Sequence, residues 1–272
     1  MKTLRDTLTY MAKNLIFVLG FAVLPACFMG SLLNPFMIIN FIIDYKNLTI
    51  NNFADILSHL FGVNWVGVLN CTLAIILIVL IFSAFFGNME NHFKSGKLAL
   101  SNTLNLINNT VLIVLAYVGI FLLGYVVLKF ALALIVFIVH IVFGALGSTP
   151  GVALYVVNVV ITVGVMIFSG YLLAYGLIAL VDTIICGYSV GTSFSDANDL
   201  LNKKFYKVMV LVALPFLIVL PLVVLGKLFG FVVVANIVSL LILFMYYPVL
   251  AFTMYFEFSR LSRYDNIKRY YY

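Results

Sequence analysis

Apolar residues run through this 272-residue chain in long blocks, unlike the short alternating or one-faced patterns of a water-soluble domain. The blocks cover about residues 15 to 33, 65 to 89, 110 to 147, 152 to 181, 206 to 226 and 231 to 256. A backbone set in lipid must satisfy its own hydrogen bonds, so each block predicts a helix. Roughly 20 residues of helix cross a hydrocarbon core about 30 Å thick. The pattern therefore predicts an all-α fold, a polytopic transmembrane helical bundle of about six spans. The block from 110 to 147 is too long for one crossing, because its 38 residues would stretch about 57 Å as a helix. It must leave the membrane or break.

Between the blocks a second pattern recurs. Leu4, Leu8, Met11 and Leu15 are matched 96 residues later by Leu100, Leu104, Ile107 and Val111. A further 94 residues on, the same places hold Phe194, Asn198, Leu201 and Phe205. The spacing is that of one helix face, and polar residues such as Arg5, Asp6, Asn105, Asn109, Asp199 and Lys203 lie between. Each copy predicts an amphipathic interfacial helix feeding a span, with Thr3, Ser101 and Ser195 as its amino-terminal cap. The first, third and fifth spans follow these helices, and the second, fourth and sixth close in an acid, Glu90, Asp182 or Glu257. The whole chain, 1–272, then reads as one integral membrane domain of three tandem units, about 1–93, 94–187 and 188–272.

Composition agrees: 65% of residues are hydrophobic and 9% charged, which excludes aqueous folding of the chain and leaves no room for a separate soluble catalytic domain. Charge sets the orientation. With six spans and a cytoplasmic amino terminus, the inner segments hold twelve of the fifteen Lys and Arg residues, including Lys2, Arg5, Lys13, Lys94, Lys97, Lys203, Lys204 and Lys207. Lys46 stays outside, and Lys129 and Lys227 are expected to snorkel outward at the ends of their spans. Splitting 110 to 147 into two spans would set Lys94 and Lys203 on opposite sides. Residues 130 to 147 are therefore expected to form an outer-leaflet or re-entrant element turned back at Ser148–Gly151. Leu24-Pro25-Ala26-Cys27 loosely resembles a lipoprotein cleavage box, but Pro25 fits it poorly and Cys27 reads as part of the first span. Cys27, Cys71 and Cys186 are odd in number and far apart, which implies neither a disulfide framework nor a zinc site.

The search for chemistry mostly excludes. His59, His92 and His140 belong to no ligand cluster, and Asp55 with His59 reads as a solvated helix face rather than a metal site. Gly96-Lys97 fails as a phosphate loop, because Asn91 stands at the upstream glycine place and Leu98 replaces the Ser or Thr. No cofactor, metal or catalytic residues are expected, and the chain does not read as an enzyme. Asn70, Asn158 and Asn236 lie 20 to 24 positions before the acids, near the outer surface, and read as interhelical hydrogen-bonding groups or as a polar vestibule. Glu90, Asp182 and Glu257 read as span-ending partners for the inner Lys and Arg, with a shared cation site as the sharper alternative. Arg263, Lys268 and Arg269, among the tyrosines of the tail, are candidate contacts for anionic lipid headgroups rather than nucleic acid.

The stretch Tyr247-Pro248-Val249-Leu250-Ala251-Phe252-Thr253-Met254-Tyr255-Phe256-Glu257-Phe258-Ser259-Arg260 resembles the close of the last span in a bacterial family of YciC-like proteins and membrane domains attached to some glycerophosphodiester phosphodiesterases. The resemblance implies a multi-pass membrane domain entered through amphipathic helices, and confers no activity. The expected function is a non-catalytic scaffold or accessory module in the cell membrane, partnered by lipid or another membrane protein. A permease for an apolar or amphipathic substrate is the alternative.

The topology is testable by cysteine labelling. Lys46→Cys is expected to react from outside, while Lys97→Cys and Lys204→Cys react only from the cytoplasm. Equal reactivity of Lys46→Cys and Lys97→Cys from outside would end the six-span arrangement.

Overall fold

The computed structural model describes residues 2–33, 36–44, 52–61, 65–96, 98, 100–145, 152–202, 204–259, 261 and 263. The elements are α1 (Lys2–Lys13), α2 (Leu15–Leu32), α3 (Met37–Asp44), α4 (Phe53–Phe61), α5 (Trp65–Ser95), α6 (Thr103–Ala145), α7 (Val152–Cys186), α8 (Val190–Asn202), α9 (Phe205–Ala213), α10 (Phe216–Leu228) and α11 (Val232–Phe258). A short 3-10 turn, Leu100–Asn102, leads into α6, and no strand occurs among the described residues. Six helical stretches are long and apolar enough to cross a membrane. The spans entered first in each pair are α2, α6 and α9 with α10, and the returning spans are α5, α7 and α11.

These spans close into a ring. Each entering span packs on the returning span that follows it and on the one before it, α2 on α5 and α11, α6 on α7 and α5, α9 on α7 and α10 on α11. The three returning spans also touch one another in the middle. The lead-in segments follow the same order. α1 lies on α11, α8 lies on α7, and the start of α6 lies on α5, where Thr110 Oγ1 donates to the Ser83 carbonyl at 2.9 Å.

Lipid tails are as apolar as leucine, so close packing and interhelical hydrogen bonds, more than hydrophobicity, hold such helices together. Gly30 of α2 shows the first. A Cβ built there would sit 2.7 Å from both the backbone nitrogen and Cγ1 of Ile237 on α11, so only glycine lets the two helices approach this closely. Tyr246 and Tyr247 of α11 show the second. Pro215 has no N–H, which frees the Leu211 carbonyl four residues back, and α9 ends at Ala213. The Tyr246 hydroxyl donates to Leu211 O at 2.8 Å, and the Tyr247 hydroxyl to Val212 O at 3.0 Å. The helix break thus has its carbonyls satisfied by the neighbouring span.

Several expectations are corrected here. Residues 130 to 145 are no separate or re-entrant element, because α6 runs unbroken to Ala145, a length of about 64 Å. Its far half joins α3, α4 and the start of α7 in a second core of Phe41, Ile56, Leu60, Leu132, Ala133, Val136 and Leu154. The turn at 148–151 lies outside the described residues. A distinct lead-in helix, expected ahead of all three entering spans, precedes the first and the fifth span, broken from them at Asn14 and near Lys204. Ahead of the third span, the lead-in merges with α6. Ser195 lies inside α8, whose cap is Ser189, its Oγ accepting from Thr192 N at 3.4 Å. The Thr3 hydroxyl is likewise turned to Glu257 and leaves no cap to α1, and the side chain of Ser101 lies outside the described residues. Asp55 and Asn52 cap α4 reciprocally, Asn52 N to Asp55 Oδ2 at 3.1 Å and Asp55 N to Asn52 Oδ1 at 3.0 Å.

Gly30→Leu is expected to destabilise the chain by about 1–3 kcal/mol through overpacking against the α11 backbone. Gly119→Ala, where an added Cβ meets nothing within 4 Å, is the control and should stay within about 0.5 kcal/mol. Reversible unfolding in mixed detergent measures both.

Candidate functional site

The polar residues gather at the two ends of the bundle. The proximal end, where α1 meets the close of α11, carries the three acids, and each is committed to a contact between elements. Glu90 binds Lys94 at 2.6 Å, and the Lys94 ammonium also donates to the Ile185 carbonyl at 2.9 Å, joining α5 to α7. Asp182 is 3% exposed and accepts from the Tyr255 hydroxyl at 2.6 Å, joining α7 to α11. The same hydroxyl lies 3.2 Å from Cys186 Sγ. Glu257 takes the Lys207 ammonium at 2.6 Å and the Thr3 hydroxyl on its other oxygen, joining α11 to α9 and α1.

Around these contacts α1 is fastened along its length. The buried Thr7 and Thr253 hydroxyls are 2.7 Å apart, and Tyr10 Oη lies 2.8 Å from His92 Nδ1 while its ring stacks on Phe93. Thr3, Thr7 and Tyr10 fall on one face at helical spacing, which is why an amphipathic helix can seat three polar groups together. Arg263 reaches the Asp6 carboxylate at 3.5 Å and lies 4.7 Å over the Phe93 ring. The side chain expected at lipid headgroups is thus drawn onto α1 and α5. Lys268 and Arg269 lie outside the described residues.

At the distal end the three asparagines differ. Asn158 and Asn236 are buried, 4% and 3% exposed, whereas Asn70 is half-buried. Asn158 shares a helix stripe with Leu154, Ile161 and Val165, which pack into the second core, and both its side-chain polar atoms lack a hydrogen-bond partner. Asn236 lies on α11 beside the buried Ser239. Lys129 does not snorkel. It is 5% exposed, donates to the Leu60 carbonyl at the end of α4 at 2.7 Å, and lies 4.6 Å from the Tyr125 ring centre. Lys227 pairs with Asp44 of α3. An ammonium on a helix carboxyl terminus meets the negative end of the helix dipole. That contact has no sequence signal beyond a lone lysine in an apolar block.

Helices α5, α7 and α11 share one apolar core. Phe93, Ile178, Phe252, Met89 and Met254 are fully buried there, and Phe85 is nearly so. Among the described residues, two cavities are lined by helices at the flanks. One, of about 460 Å³, is set between α7 and the α9–α10 break and is walled by Met166, Gly170, Met209, Phe216 and Leu220 among others. The second, of about 730 Å³, lies in the crook of α1 and α2. No group of three or more His, Cys, Asp or Glu suited to a metal occurs among the described residues.

Fold and site together define a multi-pass α-helical membrane protein. No family model, curated protein or solved structure matches the chain.

Glu257→Gln keeps the shape of the side chain but removes the charge that holds Lys207. The pair is partly open to solvent, so the expected loss is about 1 kcal/mol. Amide exchange across Lys2–Lys13 should then quicken about fivefold relative to the parent, with exchange in α6 unchanged. Unaltered exchange in α1 would show that Glu257 does not fasten it.

Proposed function

We propose that this chain is a non-catalytic integral membrane module, a scaffold or accessory subunit that binds lipid or a membrane partner, with both termini in the cytoplasm. The observation that carries the reading is the apolar core that α5, α7 and α11 share. A transported solute needs its hydration replaced at every depth, and the fully buried Phe93, Phe252, Ile178 and Met254 of this core offer only apolar side chains. The acids are tied to Lys94, Tyr255, Thr3 and Lys207, which favours a structural role over a shared cation site. The ring order of lead-in helices and spans supports three tandem units, about 1–93, 94–187 and 188–272. The resemblance over Tyr247–Arg260 points to the same kind of membrane domain without activity of its own.

A permease for an apolar or amphipathic substrate is the second reading. The flank cavity between α7 and the α9–α10 break favours it, since an apolar molecule could enter there from the bilayer.

Reconstitution in liposomes with ion-flux and proton-flux readouts tests the scaffold reading. The expected result is no saturable flux above empty vesicles. Saturable flux abolished by Glu90→Gln, Asp182→Asn or Glu257→Gln would overturn the scaffold reading in favour of a coupled transporter.

A further inference from the structure

We propose that the crook between α1 and α2 is a binding site for one anionic glycerophospholipid of the cytoplasmic leaflet. The proposal rests on the lipid-binding reading above and gives it an address.

The groove begins as a local backbone event. At Asn14 the chain leaves the helical region, with φ −116° and ψ 32°, and the Asn14 side-chain amide donates back to the Tyr10 carbonyl at 3.1 Å. The helix is therefore interrupted between α1 and α2. α1 is held in place from its other face by Thr3, Thr7 and Tyr10, through their contacts to Glu257, Thr253 and His92. The crook is thus already built before any ligand arrives, and little ordering cost remains to be met on binding.

Its chemistry is graded from one end to the other. Lys13 and Asn14 stand at the polar mouth, immediately before the span. Leu15, Ile16, Phe17 and Phe21 of α2 form one apolar wall, and Leu98 and Leu100, from the stretch between α5 and α6, stand in the lining with them. Ile16 is 89% exposed, and Leu15 and Leu100 are about half exposed, so these surfaces await an apolar cover. No carboxylate is among the lining residues to compete for the exposed Lys13 ammonium. An ammonium over an apolar slot selects a ligand with an anionic head and a hydrocarbon tail. A volume of about 730 Å³ is of the size that holds a small amphipathic molecule or a chain with part of its headgroup. Gly20 marks the tail end of the slot: a Cβ built there meets no protein atom within 4 Å, so the space beside it is open to the ligand. The flank cavity by the α9–α10 break has no charged residue in its lining, and any acyl chain would suit it equally.

The test uses the full chain in phosphatidylcholine vesicles. Trp65, the single tryptophan, is changed to Phe, and Ile16→Trp places a reporter on the wall of the groove. Quenching by brominated phosphatidylglycerol is compared with quenching by brominated phosphatidylcholine. The expected preference for the anionic lipid is about fivefold, the equivalent of about 1 kcal/mol for one basic side chain at the surface. Lys13→Gln should bring that preference close to one. Gly20→Leu should weaken quenching by both lipids while leaving the unfolding midpoint unchanged. Equal quenching in the parent, or a preference that survives Lys13→Gln, would overturn the proposal. Protection from quenching by inorganic phosphate would overturn it as well, assigning the site to a free anion. The outcome is separable from that of the flux assay. Flux together with a Lys13-dependent preference would remove the scaffold reading and keep the site, whereas silence in flux without a preference would remove the site alone.

Discussion

Polar groups among hydrocarbon have no water to turn to, so a partner inside the protein matters most there, and one helix of this bundle provides many such partners. α11 is that helix. Its Tyr246 and Tyr247 hydroxyls take the carbonyls at the Pro215 break, Tyr255 takes Asp182, Thr253 meets Thr7, and Glu257 takes Thr3 and Lys207. Together these bonds reach three other elements, α1, α7 and α9. The result is a span buried all round from Tyr246 to Phe256, touched by α1, α2, α5, α7 and α10. A helix apolar on every face is suited to this central place, and the few polar atoms it carries become the fasteners.

The two ends of the molecule differ as a consequence. At the proximal end, charged contacts bridge α5 to α7, α7 to α11 and α11 to α1, and aromatic rings such as Phe86, Phe93, Phe252 and Phe256 pack between them. Such an end resists being parted, because breaking one contact strips a partly buried charge of its partner. At the distal end, α6 continues about 24 Å beyond Lys129, with α4 laid on it and Lys129 at the α4 carboxyl terminus. Among the described residues, openings occur where helices break: at Asn14 between α1 and α2, and at Pro215 between α9 and α10. Breaks of this kind separate neighbouring helix axes and leave a gap between them.

Much of this was legible in the chain. Block length and the cost of an unpaired backbone in lipid led directly to helices and to six spans. The acids at the span ends marked the charged end, because an ionised group is excluded from hydrocarbon wherever it falls in the sequence. What could not be read was partnership. Lys129 looked like a snorkelling lysine, since sequence spacing gives the depth of a residue along its own helix and says nothing of which helix end lies beside it. Thr3 and Ser195 looked like caps because a hydroxyl near a helix start often is one, yet Ser189 takes that part for α8 and Thr3 turns to Glu257. Pro215 and the Tyr246–Tyr247 pair were both visible, and a proline's freed carbonyl was the available signal that a donor must lie opposite.

The sequence by itself determined the class of structure, because lipid leaves a polypeptide only two ways to satisfy its backbone and the apolar blocks have the length of helices. It also determined which stretches are amphipathic, since that depends only on periodicity. Tertiary structure alone decided that α6 stays unbroken through Ala145, that the three returning spans share one apolar core, and that the helix is interrupted at Asn14. Each of these depends on contacts between residues distant in the chain: α4 and α7 on α6, rings from α5 and α11 meeting, Thr3 and Thr7 on α11. Short-range periodicity carries no information about such meetings, because packing is settled by the shapes of facing surfaces after the helices have formed.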